Sequence, residues 1–341
     1  MEMGAVVMVP EGQDLTAVQE TQFDAPAAFE NSQPHYSSRM PILGNDVLQS
    51  WMERVRKLGV KSLWLASGPR DGTVARSEMA RLARHGVERL LVIKLKSYAE
   101  MDLADLLRFH CQKRNPITEA CDDRGQLGVS LLDRLALCAM GEKRELSCDS
   151  TDQKRPPYKF NGYAKRILSA SERQELVGDA LTGACAMRPL GTEIREDVWV
   201  GEGASLADSA RVIGPTYIGA RTIVRSGATI GPFVSVEHDC VVDCGTTVER
   251  STVLPYSYLA PGLLIRQGLV DGGYLENLNW GTVVDMQPAG LGCRIQRREA
   301  RKPAYSETPA NEFPRMENAF PWQFAPSSSF ATAQPWLQVR L

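Results

Sequence analysis

The hydrophobic pattern of the chain is dominated by an aliphatic residue that returns at every sixth position between residues 194 and 258. In all but one of these hexads a small or β-branched residue stands four places later, and Tyr258 is the exception. Helices repeat roughly every 3.6 residues and strands about every 2, so this period fits neither. Short strands joined by turns fit it, because each hexad then directs one large and one small side chain inward. The aliphatic positions are Ile194, Val200, Leu206, Val212, Ile218, Val224, Ile230, Val236, Val242, Val248 and Leu254.

This stretch resembles the hexapeptide-repeat family, whose members form a left-handed triangular β-helix with about three hexads in each coil. The resemblance implies a left-handed parallel β-helix in the second half of the chain. It leaves the function open, because that helix occurs in acyltransferases, in zinc carbonic anhydrases and behind sugar nucleotidyltransferase domains. The carbonic anhydrase option is excluded, since its zinc needs several histidine ligands and His238 is the one histidine of the repeat.

The first 190 residues show the alternation of strands and helices that is typical of a sheet covered by helices. The first helix is strongly amphipathic, with Asn45 or Asp46 available as its cap and Gly59 as its end. Residues 11–40 and 141–158 are polar and predict loops. The predicted elements are a strand at 4–9, a helix at 46–58, a strand at 62–66, a helix at 73–85, a strand at 89–95, a helix from 103 that stops before 115, and a linker helix at 172–181.

The order of these elements and several short segments resemble a sugar nucleotidyltransferase, or nucleotide-sugar pyrophosphorylase, of the mannose-1-phosphate guanylyltransferase type. Arg39-Met40-Pro41-Ile42-Leu43-Gly44 leads into the first helix, and Gly59-Val60-Lys61 leads into the next strand. Ile213-Gly214-Pro215-Thr216-Tyr217-Ile218-Gly219 resembles the opening of that family's β-helix. The resemblance implies three parts: a reduced three-layer α/β nucleotidyltransferase-like domain at 1–190, a left-handed parallel β-helix with its cap at 191–278, and a largely irregular tail at 279–341.

The loop after the first strand departs from the family's pattern. The family carries Gly-Gly-x-Gly-Thr-Arg there, and its bare amides approach the nucleotide phosphates closely. In this chain Gly12 is the glycine that survives, and Glu11 and Asp14 would repel phosphate. We therefore interpret Glu11, Gly12 and Arg39 as remnants of a nucleotide loop.

The position of the metal ligand departs as well. The family places an aspartate after the later strand to hold the magnesium of the triphosphate, and the aligned residue here is Lys96. A cation at that place is expected to exclude a metal ion; it either neutralises a phosphate directly or is solvated or ion-paired. We expect no cofactor, and magnesium only if nucleotidyl transfer survives.

His238 is the candidate for chemistry within the repeat. It follows Val236 by two residues and is therefore expected to face outward at a coil edge, with Asp239 beside it. A histidine oriented by a carboxylate can act as general base on a hydroxyl or amine, as in hexapeptide acyltransferases. An ordinary exposed turn histidine is the alternative.

Composition narrows the expected partners. The formal net charge is −2 and 23% of residues are charged, which predicts no bulk attraction to nucleic acid or membranes. The eight cysteines lack metal-ligand spacing and predict free thiols in a reducing compartment. The first 20 residues lack the basic and apolar regions of a leader, and no apolar run approaches the ~18 residues of a membrane span, so we expect a cytoplasmic protein. The expected assembly is a homo-oligomer or a complex with an active nucleotidyltransferase.

Three functions remain open. The first is a catalytically degenerate relative that binds a sugar nucleotide or sugar phosphate, or serves as a regulatory or scaffold subunit. The second is an active nucleotidyltransferase that joins a nucleoside triphosphate to a sugar 1-phosphate and releases pyrophosphate. The third is an acyltransferase that uses His238.

Overall fold

The computed structural model describes residues 3–10, 18–21, 41–60, 62–68, 87–142 and 156–295. An α/β region, which we call the front region, comes first, and a β-helix of about four turns follows it over residues 198–290. This order of the two parts confirms the fold class. The helices are α1 (Val47–Lys57), α2 (Leu103–Lys113), α3 (Arg134–Glu142) and α4 (Ala170–Leu181).

The front region is built on a mixed sheet. Its strands and those of a small ribbon are β1 (Met3–Pro10), β2 (Val18–Thr21), β3 (Ser62–Gly68), β4 (Arg89–Lys94), β5 (Ser97–Ala99), β6 (Ile117–Asp122), β7 (Gly125–Asp133), β8 (Tyr158–Lys159) and β9 (Ala164–Arg166). The sheet order is β2-β3-β1-β4-β7-β6-β8, and β5 pairs with β9 alone. The three strands β3, β1 and β4 are parallel, whereas β7 is antiparallel to β4.

The first helix shows how the sequence determines this region. Asp46 caps α1 by accepting a hydrogen bond from the Leu48 amide at 2.8 Å, which satisfies a donor that has no partner within the helix. The apolar face buries Trp51 and Val55 in the core, and Gly59 follows the helix with φ +80. The predictions of α1, α2, α4, β1, β3 and β4 are confirmed within a few residues.

The β-helix and its cap contain seventeen short strands. They are β10 (Thr192–Arg195), β11 (Val198–Val200), β12 (Ser205–Leu206), β13 (Arg211–Val212), β14 (Thr216–Ile218), β15 (Ile223–Val224), β16 (Thr229–Ile230), β17 (Val234–Val236), β18 (Val241–Val242), β19 (Thr247–Glu249), β20 (Thr252–Val253), β21 (Ser257–Leu259), β22 (Leu264–Arg266), β23 (Gly268–Asp271), β24 (Tyr274–Asn277), β25 (Val283–Asp285) and β26 (Gly292–Arg294).

Three sheets form the sides of the β-helix, in the orders β10-β11-β14-β17-β20-β23-β24-β25, β12-β15-β18-β21-β26 and β13-β16-β19-β22. Successive coils pair in parallel with an 18-residue offset, as in the ladder Val200, Ile218 and Val236. The aliphatic side chains of this column fill the interior, where Ile218 and Val236 are fully buried. The handedness of the helix stays a prediction from the resemblance.

Two of the predicted inward positions are wrong. Ile194 is 48% exposed, because β10 pairs antiparallel to β11 as an edge strand instead of starting a coil. Leu254 lies outside the coil, because the ladder offset falls to 17 residues and pairs Val236 with Val253. With that shift Val253 fills the interior, and Ser257 takes the small-residue position that Tyr258 had appeared to break.

Several parts were not predicted or lie elsewhere. Residues 117–142 form β6, β7 and α3, which the sequence pattern did not predict. Residues 279–295, assigned to an irregular tail, contain β25 and β26, and these strands extend the sheets at the far end of the β-helix. The predicted helix at 73–85 and the loop remnants lie outside the described residues. No helix within the described ranges is long and apolar enough to cross a bilayer.

Candidate functional site

The carboxyl ends of the parallel strands define one edge of the front sheet. The chain passes from β1 to β3 on one side of β1 and then places β4 on its other side, so the strand order reverses between β1 and β4. Ligands of open α/β sheets bind outside the carboxyl ends at such a reversal. Since α1 ends at Lys57, shortly before β3 begins at the opposite edge, the amino end of α1 points towards this same edge. We call it the carboxyl edge.

Lys96 lies at this edge, in the tight turn that connects β4 to β5. Its amide donates to the Lys94 carbonyl at 2.6 Å, and its carbonyl accepts from the Ile167 amide at 3.0 Å. These contacts fix the backbone, while the side chain is exposed. The residue that the sequence aligns with a metal-binding aspartate is therefore a solvent-facing cation at the strand end.

A two-residue turn stands immediately before α1. Ile42 and Asn45 exchange backbone hydrogen bonds of 2.8 and 3.0 Å, and the residues between them, Leu43 and Gly44, have φ of 54 and 79. Positive φ at both central residues is the requirement of a type I′ turn. A Cβ on Gly44 would stand 2.4 Å from the Tyr217 hydroxyl, so the close approach of the β-helix also demands glycine.

Both central amides of this turn are bound by one carboxylate of the β-helix. The Leu43 and Gly44 amides donate to Glu237 at 2.8 and 2.9 Å, and the Ser235 hydroxyl donates to it at 2.8 Å. Glu237 is fully buried. Since every one of these contacts comes from a donor, the geometry matches an ionised carboxylate.

Arg173 of α4 is the buried cation of the same neighbourhood. Its guanidinium donates to the Pro41 carbonyl, next to the turn. Burial lowers the pKa of Arg173 to about 10, while the charge of Glu237 opposes that shift. Burial likewise raises the pKa of Glu237, against the effects of Arg173, Ser235 and the two turn amides. Each charge thus offsets part of the desolvation penalty of the other.

The face of the β-helix that carries Glu237 packs on the front region. Tyr217 is 2% exposed and belongs to the hydrophobic core of the front region. Gln174 of α4 donates to the Phe233 carbonyl at 2.9 Å and accepts from the Thr252 hydroxyl at 2.6 Å. The Leu190 amide adds a 2.9 Å bond to the Leu43 carbonyl. The turn is therefore enclosed between α4 and the β-helix.

His238 lies at a coil corner directly after Glu237. Its Nδ1 is 2.9 Å from the Asp239 carboxylate, and Arg221 donates two hydrogen bonds of 2.7 and 2.5 Å to that carboxylate. These bonds hold the pKa of Asp239 below its usual value. The imidazole packs edge to face against Tyr256 with 5.2 Å between centroids and stays 30% exposed. Such an arrangement orients a histidine for proton transfer at its other nitrogen.

Within the part of the chain that the structure describes, the predicted site residues thus lie in different places and do not form one site. Lys96 belongs to the front region and His238 to the β-helix, while Glu11, Gly12 and Arg39 lie outside the described residues. Within the described ranges no group of three or more His, Cys, Asp or Glu could hold a metal ion.

Sequence reasoning missed Glu237 and Arg173. A signal for Glu237 exists, because Gly201 and Gly219 precede it at 18-residue spacing, and a Cβ on either glycine would meet the backbone of the next coil. A glutamate at the position that holds glycine in the two preceding coils indicates that its side chain contacts another part of the molecule.

Part of this chain is similar in sequence to a sugar nucleotidyltransferase. Over 107 residues it is 34% identical to UTP–glucose-1-phosphate uridylyltransferase of Synechocystis sp. (strain ATCC 27184 / PCC 6803 / Kazusa). The match covers 31% of this chain and 27% of that enzyme, so the chain matches about a quarter of the relative's length. No protein-family model matches the sequence.

Proposed function

We propose that the protein binds a sugar nucleotide or sugar phosphate at the carboxyl edge and acts as a catalytically silent subunit in nucleotide-sugar metabolism. The observation that carries this proposal is the exposed Lys96 in the β4–β5 turn, next to the reversal of strand order. A lysine offers a phosphate a point charge and offers magnesium no ligand. With a lysine where the family has an aspartate, we expect the protein to bind its ligand without catalysing metal-dependent nucleotidyl transfer.

The partial similarity to a uridylyltransferase supports the nucleotide-sugar class of ligand. The described fold supports the same class, since a reversal in strand order is where α/β sheets bind nucleotides. The regulatory role rests on the loss of a metal ligand at Lys96, and we propose that it is exercised in a homo-oligomer or on an active nucleotidyltransferase.

A thermal-shift experiment with UDP-glucose and GDP-mannose, each with and without magnesium, tests the proposal. We expect a rise in Tm that is independent of magnesium, since ligand at about a hundred times its Kd adds roughly 2.7 kcal/mol of stability. Lys96→Ala should remove the shift. Lys57→Ala is the matched control, because Lys57 is also exposed but is the last residue of α1, at the end of the helix that points away from the carboxyl edge.

The outcomes separate the alternatives. A shift with a nucleoside triphosphate that requires magnesium, accompanied by pyrophosphate release from a sugar 1-phosphate, would indicate an active nucleotidyltransferase. No shift with any nucleotide-sugar, or an equal shift in Lys96→Ala, would contradict binding at Lys96.

Acyl transfer is a second candidate, and the 2.9 Å contact between His238 Nδ1 and Asp239 favours it. If His238 acts as the general base, His238→Ala should abolish acetyl transfer from acetyl-CoA to an amino sugar. An unchanged rate in that variant, or no transfer by the natural protein, would remove this candidate.

A further inference from the structure

The contacts of the turn before α1 point to a control of the carboxyl edge by the β-helix. We propose that Glu237 is a positioning residue through which the β-helix sets the affinity of the carboxyl edge for its ligand. This inference rests on the proposed function, because it concerns the regulation of the same site.

The first step is the way in which the turn is held. The Leu43 and Gly44 amides point out of the turn, whose own backbone bonds join Ile42 and Asn45. Both outward amides donate to Glu237 and so depend on the β-helix. Without that carboxylate, one buried and one partly buried donor would lose their acceptor, which costs more than an ordinary exposed hydrogen bond is worth.

The second step is the place of the turn in the front region. Asn45 is followed at once by Asp46, the cap of α1, so a shift of the turn displaces the amino end of that helix. This end points towards the carboxyl edge, because α1 ends shortly before β3 begins at the other edge. The Asn45 side chain also donates to the Arg188 carbonyl at 2.7 Å, in the segment that leads to the β-helix. The turn therefore connects the carboxyl edge to the β-helix and to the segment before it through several hydrogen bonds.

The third step is the chemistry of the contact. Glu237 and Arg173 are both buried, and they approach the 41–45 segment from different places, Glu237 from the residue after β17 and Arg173 from α4. A neutral glutamine at position 237 keeps the shape of the side chain but presents one NH₂ group to a neighbourhood of donors. Glu237→Gln thus removes the charge and one acceptor while changing little volume.

The experiment measures affinity and backbone protection in the same variants. The Kd for UDP-glucose is determined by titration calorimetry for the natural protein, Glu237→Gln, Ser235→Ala and Glu249→Gln. Glu249 is the matched control, since it pairs with Arg266 on another side of the β-helix. Hydrogen exchange is followed in the 41–46 segment and in β17.

We expect Glu237→Gln to weaken UDP-glucose binding by about tenfold and to accelerate exchange at Leu43 and Gly44, with Glu249→Gln unchanged. Because coupling is reciprocal, UDP-glucose should slow exchange in β17 of the natural protein but not of Glu237→Gln. A residue with a merely structural role would lower Tm without this ligand-dependent protection. Ser235→Ala removes one donor to Glu237 and should give a smaller loss of affinity in the same direction.

Each other result overturns the inference in a recognisable way. If Glu237→Gln loosens the turn but binds UDP-glucose as well as the natural protein does, the coupling is wrong and the proposed function stands. If exchange at Leu43 and Gly44 is unchanged, Glu237 does not hold the turn. If the natural protein binds neither UDP-glucose nor GDP-mannose, the proposed function and the coupling fall together. Should Glu237→Gln fail to fold, the result with Ser235→Ala decides. Faster exchange at Leu43 and Gly44 in Ser235→Ala, with an unchanged Kd for UDP-glucose, would count against coupling.

Discussion

The carboxylate of Glu237 accepts a hydrogen bond of 2.8 Å from the Leu43 amide across 194 residues of sequence. The bond joins a side chain of the β-helix to a backbone turn of the front region, and a second amide, that of Gly44, shares the same carboxylate. Neither region completes this contact by itself. The two parts of the chain are therefore joined by a specific polar interaction as well as by the packing of Tyr217.

Gly44→Ala should destabilise the protein more than an ordinary glycine replacement. The substitution adds strain at φ +79 and brings a Cβ within 2.4 Å of the Tyr217 hydroxyl. Gly59→Ala is the control, since Gly59 has φ +80 but nothing within 4 Å of the added Cβ. In urea unfolding we expect the free energy of unfolding to fall by about 1 kcal/mol in Gly59→Ala and by roughly 2–4 kcal/mol in Gly44→Ala.

Gly44→Ala should cost less unfolding free energy when it is combined with Tyr217→Phe, because the Tyr217 hydroxyl is the nearest clashing atom. Its loss should then come closer to that of Gly59→Ala. Equal losses in Gly44→Ala and Gly59→Ala would show that the approach of Tyr217 is looser than described.

The β-helix could be predicted from the sequence because its pattern is local. Each coil repeats the same inward positions, so the column from Val200 to Val248 is visible in the chain alone. The shift to Val253 was hidden, because Val253 and Leu254 are adjacent aliphatic residues and either fits the interior by hydrophobicity. Glu237 was hidden for another reason: its partners are backbone amides of a distant turn, and backbone amides leave no signature in the side-chain pattern.

Acid should weaken the front region through Asp122. The Arg166 guanidinium donates two hydrogen bonds to this carboxylate, of 2.8 and 3.0 Å, and thereby lowers the pKa of Asp122. A carboxyl whose pKa is lowered by folding stabilises the protein above its unfolded pKa, and that stability is lost as pH falls through the folded pKa. The loss contributed by Asp122 should therefore begin near pH 4 and grow below it.

Asp122→Asn should lower stability at neutral pH and flatten the acid limb of a plot of unfolding free energy against pH. Asp123→Asn is the control, because Asp123 is an exposed neighbour in the same turn. An acid limb that is the same in Asp122→Asn and in the natural protein would mean that other carboxylates account for it.

Cys240 should resist alkylation in the folded protein. Burial raises the pKa of its thiol to about 12, so almost none of the reactive thiolate is present at neutral pH. Cys244, four residues later, is exposed and should react quickly with iodoacetamide. Mass mapping of the modified cysteines over time checks this, and unfolding in urea should bring both to similar rates. Fast modification of Cys240 in native buffer would contradict its burial inside the β-helix.

Because of the shift in coil register, Val253 and Leu254 pack in different hydrophobic clusters. Val253 packs inside the β-helix, whereas Leu254 lies in a small cluster with Ala170 of α4 and Leu269. Leu254→Ala should therefore cost about 2–4 kcal/mol and accelerate hydrogen exchange in α4, whose contact with the β-helix it weakens. Val253→Ala removes fewer carbon atoms and should loosen the coils around it, leaving α4 protected. If Val253→Ala exposed α4 and Leu254→Ala exposed the coils instead, the 18-residue register would continue past Val248, and the inward column would end on Leu254.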